Sequence, residues 1–257
     1  MKKNEKGQYT VSDDNITIEK KVFTAGIGAY EIHEDGKPYH TFRTQTLLVD
    51  GNRVRIDRCL IENNAGPGKT AGQAIALYLD GDDIEVTDSV IRGDQDTLFL
   101  APLPPREYEK DGFLGPKCFT PRTRRRFVFR NCVIFGSVDF IFGGASAIFE
   151  ECDIISVAPG WALAPCTPEG ERDGFVLRNC RFLCETGVPE ESCYIARPWR
   201  EFGKVRLENC FLDRHICRAG WDDWGKKEAH GTVRFEEYAS FGPGACNEAR
   251  PDWVITG

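Results

Sequence analysis

One short pattern of hydrophobic and polar positions returns seven times along the chain: apolar, polar, apolar, two mostly polar residues, a small or bulky buried type, then further apolar residues. It reads VRIDRCLIEN from 54, IEVTDSVIRG from 84, FVFRNCVIFG from 127, AIFEECDIIS from 147, FVLRNCRFLC from 175, VRLENCFLDR from 205 and VRFEEYASFG from 233. Aligned on Cys59, Ser89, Cys132, Cys152, Cys180, Cys210 and Tyr238, the copies follow one another at intervals of roughly 20 to 43 residues. Alternation with period two and abundant Val, Ile and Phe make each copy a strand. Intervals of this length, with turn residues between and little helical periodicity, fit one coil of a solenoid per copy, each coil burying its apolar face on the next. The pattern therefore predicts an all-β fold, a right-handed parallel β-helix. An antiparallel sandwich of short strands would not be expected to repeat one strand sequence at coil-length intervals.

The repeat also gives the cysteines a place. Five of the eleven occupy the same repeat position, which predicts an interior ladder of small, buried, reduced thiols, with disulfides or a reactive thiol as the alternative. The cysteines show no CxxC pair and no Cys/His zinc spacing, so no metal site is expected. The widest interval contains a proline-rich, charged stretch from 101 to 125 that cannot form a coil strand and is expected to project as a long loop, able to wall a groove if it lies beside one.

Composition narrows the class of protein. With 41% hydrophobic and 28% charged residues, the 257-residue chain is neither disordered, collagenous nor membrane-embedded, and its length suits one extended domain over residues 1–257. The net charge of -7 provides no global positive field for nucleic acid or anionic lipid, and the basic stretch at 122 to 127 reads as a solvated face. A monomer is expected. Lys2 and Lys3 are not followed by the apolar segment of a secretory signal, so the chain as written reads as cytoplasmic, or as extracellular or periplasmic if its start is missing.

Several candidate chemistries fall away. GPGKT at 66 to 70 ends like a phosphate-binding loop, but Asn63 stands where the first glycine belongs. Ser137 and Ser146 lack the glycines of a nucleophile elbow. His33, His40, His215 and His230 have no paired spacing and read as surface residues. Asp96, in GDQDTLF, and Asp139, in GSVDFIFGG, stand apart because each carboxylate sits among apolar residues and glycines, where it is costly unless paired or used. Catalysis and turn-capping are both open readings of that pair. With Gln73, Gln95 and the Arg197 to Trp199 step, the constellation suits acyl or glycosyl transfer, and spacing alone does not choose. Gln95 and Asp96 are neighbours, so serving one site together requires a backbone bend, which nearby Gly93 would permit.

Read as motifs, these residues resemble the pectin methylesterase (pectinesterase) family of carbohydrate esterases. The matching segments, in family order, are TFRTQT (41 to 46), ENNAGPG (62 to 68), GQAIAL (72 to 77), GDQDTLF (93 to 99), GSVDFIFGG (136 to 144), YIARPWREF (194 to 202), AGWDDWG (219 to 225) and EEYASFGPGA (236 to 245). The resemblance implies the same right-handed parallel β-helix, and an activity that hydrolyses C6 methyl esters of homogalacturonan or its oligogalacturonides to free carboxylate and methanol. It implies that Asp139 is the nucleophile and Asp96 the general acid and later base, that Gln73 and Gln95 donate to the oxyanion, and that Arg197 holds Asp139 ionised. Trp199 and Trp221 are implied as sugar-stacking platforms, and no cofactor is implied. Another acyl substrate on the same scaffold, or a non-catalytic polysaccharide-binding solenoid, are the rival readings.

Two departures from the family pattern accompany the resemblance. GAYEIHE at 28 to 34 has Ile32 where the family's Gly-x-Tyr-x-Glu motif needs Glu, and it stands directly before TFRTQT, so the chain is expected to lack the first N-terminal coil. The 101 to 125 insertion is the second, with groove depth or substrate length as its expected consequence.

Overall fold

The computed structural model describes residues 1–257. Its strands form three parallel faces wound in one direction, a right-handed β-helix, as expected for parallel strands joined by crossovers. The first face stacks Thr17–Glu19, Arg55–Asp57, Ile84–Thr87, Arg126–Arg130, Ser146–Glu150, Phe175–Arg178, Lys204–Glu208 and Arg234–Tyr238 in register, with Ile255–Thr256 at its end. The second runs from Val22–Ala25 through Leu60–Asn63 and Val90–Arg92 to Arg181–Cys184 and Phe211–Leu212. The third begins at Tyr9–Val11 and continues through Leu47–Val49, Leu77–Leu79 and Leu98–Leu100 to Cys193–Ala196. Two long strands, Val133–Gly143 and Asp153–Pro165, pass round the corner and belong to the second and third faces at once.

The corner between the first and second faces explains the repeat. Lys20, Arg58, Asp88, Asn131, Glu151, Asn179, Asn209 and Ala239 all have positive φ, so one left-handed residue turns the chain inward in each coil. The residue after it enters the interior, giving the stack Cys59, Ser89, Cys132, Cys152, Cys180 and Cys210. Each thiol donates to the carbonyl two residues before it, for example Cys132 Sγ to Arg130 O at 3.3 Å and Cys180 Sγ to Arg178 O at 3.4 Å. Register corrects the sequence reading at both ends. Glu208 pairs with Tyr238, so the seventh ladder position is Ser240 and not Tyr238. An earlier copy, ITIEKKVFTA from 16, pairs with the coil of Cys59 and escaped detection because Lys21 occupies the ladder position.

A cluster of 45 buried residues fills the solenoid. A second cluster of ten lies on the outer surface of the third face, where Tyr78, Phe99 and Phe142 alternate with the inward Leu77, Leu98 and Ile141. Phe42 caps this aromatic layer, 4.9 Å from Phe99 edge to face. The 101–125 segment does not simply project: Leu103 and Phe113 are 3% and 8% exposed against the layer, while Tyr108 and Phe119 point outward. Lys117 ties the segment back to Asp50 at 2.8 Å. The basic stretch is likewise only partly solvated, since Arg125 Nε donates to Asp80 O at 2.8 Å. His215 departs from expectation as well: it is fully buried rather than on the surface.

Candidate active site

Asp96 and Asp139 arise at the same corner, between the second and third faces, in consecutive coils. Both are left-handed, with φ of 61° and 51°. That conformation costs a non-glycine residue on the order of 1–2 kcal/mol, but it breaks strand alternation and frees each side chain to turn onto the outer surface. The backbone N–H of Asp96 donates to Val138 O at 3.0 Å, which fixes one aspartate's turn against the other's. The bend that lets Gln95 and Asp96 serve one site is therefore at Asp96 itself and not at Gly93, whose lack of a side chain instead admits Thr97.

The turn is stitched by a residue that sequence reasoning passed over. Asp94 Oδ1 accepts from the Gly68 N–H at 2.9 Å and from the Ser137 hydroxyl at 2.8 Å, tying three coils together at the corner. Gly68 packs directly on Gln95: a Cβ there would lie 2.5 Å from its Oε1 and 2.7 Å from its Cβ, so a side chain at 68 would displace Gln95. Gln73 and Gln95 line one cavity of about 310 Å³ together with Asp96, Asp139, Arg197 and Trp199. Phe42, Phe142 and Phe113 from the outer aromatic layer form its apolar wall.

Arg197 grips Asp139 with both ends of its guanidinium, Nε to Oδ1 at 2.8 Å and Nη2 to Oδ2 at 2.7 Å. Its plane is sandwiched between two indoles, Trp161 at 3.8 Å and Trp224 at 3.6 Å. Such a stack holds the cation with cation–π attraction and fixes the fork that a carboxylate needs. Trp161 is itself stacked on Tyr194, centroids 5.8 Å apart.

The environments of the two aspartates differ. Burial pushes the Asp96 carboxyl well above the usual range, and the negative charge of Asp139 pushes it further. Burial raises Asp139 as well, but there the Arg197 hydrogen bonds and charge act against the rise. The two hydrogen bonds from Arg197 thus set the pair apart, favouring the proton on Asp96 and the negative charge on Asp139. Lys226, drawn over the Trp224 ring and donating to Pro198 O at 2.7 Å, is brought down to about 8 by burial and by the nearby arginines Arg200 and Arg197.

Of the residues singled out from sequence, Asp139, Asp96, Gln73, Gln95, Arg197 and Trp199 meet in this cavity. Trp221 does not. It is 2% exposed, packs on Phe235 with centroids 5.1 Å apart, and donates from Nε1 to the buried Glu237 at 2.9 Å. Trp221 pairs as a bridge with Ala196 and so points into the solenoid, whereas Trp224, after an Asp-Asp turn, stands over Arg197. The sequence held both indoles in one WDDW segment and gave no sign of which one faced outward. Trp161 carried no local signal at all.

Fold and site together define the class: a parallel β-helix that carries two aspartates in one aromatic-walled cavity. Within it, the pectinesterase family profile matches residues 119–256, and the chain belongs to that family. Pectinesterase 31 of Arabidopsis thaliana is 32% identical over 215 residues, covering 83% of this chain and 59% of that protein. Probable pectinesterase/pectinesterase inhibitor 12 of the same plant is 31% identical over 228 residues, 85% of this chain and 37% of that one. The chain thus spans between about a third and three-fifths of the length of these relatives. The fold is shared with the pectin methylesterase PemA from Erwinia chrysanthemi, at a TM-score of 0.75 and 24% identity over 97% of this chain and 80% of that one. A pectin methylesterase in complex with a hexasaccharide has a TM-score of 0.76 at 23% identity, with 97% and 80% of the two chains covered.

Proposed function

We propose that this protein removes methyl groups from C6-methyl-esterified homogalacturonan or its oligogalacturonides, releasing methanol. The observation that carries this reading is the Asp139 carboxylate clamped by Arg197 beside a buried, proton-holding Asp96 in a cavity that also contains two glutamine amides. The family membership and a hexasaccharide-bound relative of the same fold support the substrate class.

In the reaction that follows from this arrangement, an Asp139 oxygen attacks the ester carbonyl carbon and the carbonyl electron pair moves to oxygen. Gln73 and Gln95 offer amide N–H donors to that oxyanion. Collapse expels methoxide, which takes the Asp96 proton and leaves as methanol. Asp96, now a carboxylate, accepts a proton from water as the oxygen attacks the acyl carbon. The second collapse frees the Asp139 carboxylate and the galacturonic acid, whose own proton passes to solvent. Trp199 and the aromatic wall offer apolar faces for sugar rings.

Methanol release from highly methylated pectin, and in parallel from short methylated oligogalacturonides, tests this reading against Asp139→Asn. Asp139→Asn is expected to lower turnover by about 10⁴-fold or more, as loss of a nucleophile does. No methanol from either substrate by a folded wild-type chain would sink the proposal and point to another acyl substrate or to a binding role.

A further inference from the structure

The corner that carries Asp139 continues through later coils, and there it gathers residues that the proposed reaction does not use. Cys184 ends the strand Arg181–Cys184, which pairs with Phe211–Leu212 in the next coil. Asp213 and His215 follow that second strand in a tight turn, closed by the Ile216 N–H on Asp213 O at 3.1 Å. Cys184 Sγ, a carboxylate oxygen of Asp213 and a ring nitrogen of His215 all lie within 4.8 Å of one another.

His215 supplies the second, independent observation. It is 0% exposed, yet neither Nδ1 nor Nε2 has a hydrogen-bond partner. Its backbone is held firmly, because its carbonyl accepts from both Ser192 and Cys193 N–H groups at 2.9 Å. A buried imidazole with both nitrogens bare is an unmet polar demand, and its position against a thiol and a carboxylate shows what would meet it. Asp213 spends Oδ1 on the Arg214 N–H at 2.8 Å and retains Oδ2.

We propose that Cys184, Asp213 and His215 form a binding site for a single zinc-type divalent cation, with water as the fourth ligand. One thiolate, one imidazole and one carboxylate are a donor set suited to tetrahedral zinc, and too soft and too few for calcium or magnesium. Binding transfers the Cys184 thiol proton to solvent, since the thiolate is the ligand. The role that follows is a clamp between adjacent coils. It would brace the turn leading into Cys193–Ala196, the strand whose Tyr194 backs the Trp161–Arg197 stack. The site stands independently of the esterase reading.

The test uses the full chain stripped with a chelator and titrated with Co²⁺, then Zn²⁺. One equivalent of Co²⁺ is expected to give a near-ultraviolet thiolate-to-cobalt charge-transfer band with intense tetrahedral visible bands, both abolished by Zn²⁺. Cys184→Ser should remove the charge-transfer band and weaken Zn²⁺ binding by more than the roughly 10- to 100-fold that loss of an outer-sphere partner costs. Cys118→Ser, at another half-exposed cysteine, should change neither. Absence of the band in wild type, or its survival in folded Cys184→Ser, overturns the site. X-ray absorption at the zinc edge of the loaded wild-type protein decides it without any variant: one sulfur neighbour at about 2.3 Å supports it, and two or more refute it.

Discussion

Arg197 binds the Asp139 carboxylate through two parallel hydrogen bonds of 2.8 and 2.7 Å, while its own faces are covered by Trp161 and Trp224. The pair lines the cavity walled by Phe42, Phe113 and Phe142. Its geometry, together with its charge, opposes the rise that burial imposes on the Asp139 carboxyl, and the predictions below follow largely from it.

Arg197→Lys keeps the positive charge but loses the fork and the flat stacking surface. With weaker support, burial raises Asp139 further, so the acidic limb of the pH–rate profile is expected to move to higher pH. At a fixed pH below the new limb, kcat/KM should fall about tenfold for each unit of that displacement. An unmoved limb would mean that Asp139 is not the group being titrated.

Asp96 predicts a trade between activity and stability. Its folded pKa lies above its unfolded value, so it contributes fully at low pH and that contribution is lost as pH rises from about 4 toward the folded pKa. Asp96→Asn removes the proton exchange together with the group proposed as general acid. The variant should be inactive, yet its melting temperature relative to wild type should improve from pH 4 to pH 7. A constant difference across that range would show that Asp96 is not perturbed.

In the proposed reaction, Gln73→Ala and Gln95→Ala would each remove one oxyanion donor. A loss of roughly 10²- to 10³-fold in kcat with little change in KM is expected for either. A rise in KM with kcat intact would recast them as substrate-binding amides.

Trp224→Ala and Trp221→Ala separate the two indoles of one segment. Trp224→Ala uncovers Arg197 and should reduce kcat while leaving the melting temperature nearly unchanged. Trp221→Ala opens the solenoid interior and removes one donor to Glu237, which keeps its two Arg250 hydrogen bonds, so the lost packing is expected to cost roughly 3–5 kcal/mol of stability, with near-normal activity in the fraction that folds. Thermal melts read beside initial rates distinguish the two, and equal effects on both properties would contradict the assignment.

What the sequence determined by itself was everything that repeats or that depends on neighbours along the chain. The coil was legible because each turn of the solenoid needs the same alternation, the same left-handed corner and the same small interior residue, and Cys132, Cys152, Cys180 and Cys210 mark it directly. It faltered where one copy departed from that rule, at Lys21 and at Ser240. The motif residues Asp96, Asp139, Gln73, Gln95 and Arg197 could be named for the same reason. Tertiary structure alone decided orientation and distance. Positive φ at Asp96 and Asp139 turns their side chains against the strand period, and no local pattern of polarity encodes a dihedral sign. Which of Trp221 and Trp224 faces the cleft, how Trp161 comes to lie on Arg197 from a different coil, and why His215 is buried beside Cys184 and Asp213 all depend on stacking of coils. Residues far apart in sequence become neighbours there by the register of parallel strands, which is a property of the whole helix and of no single segment.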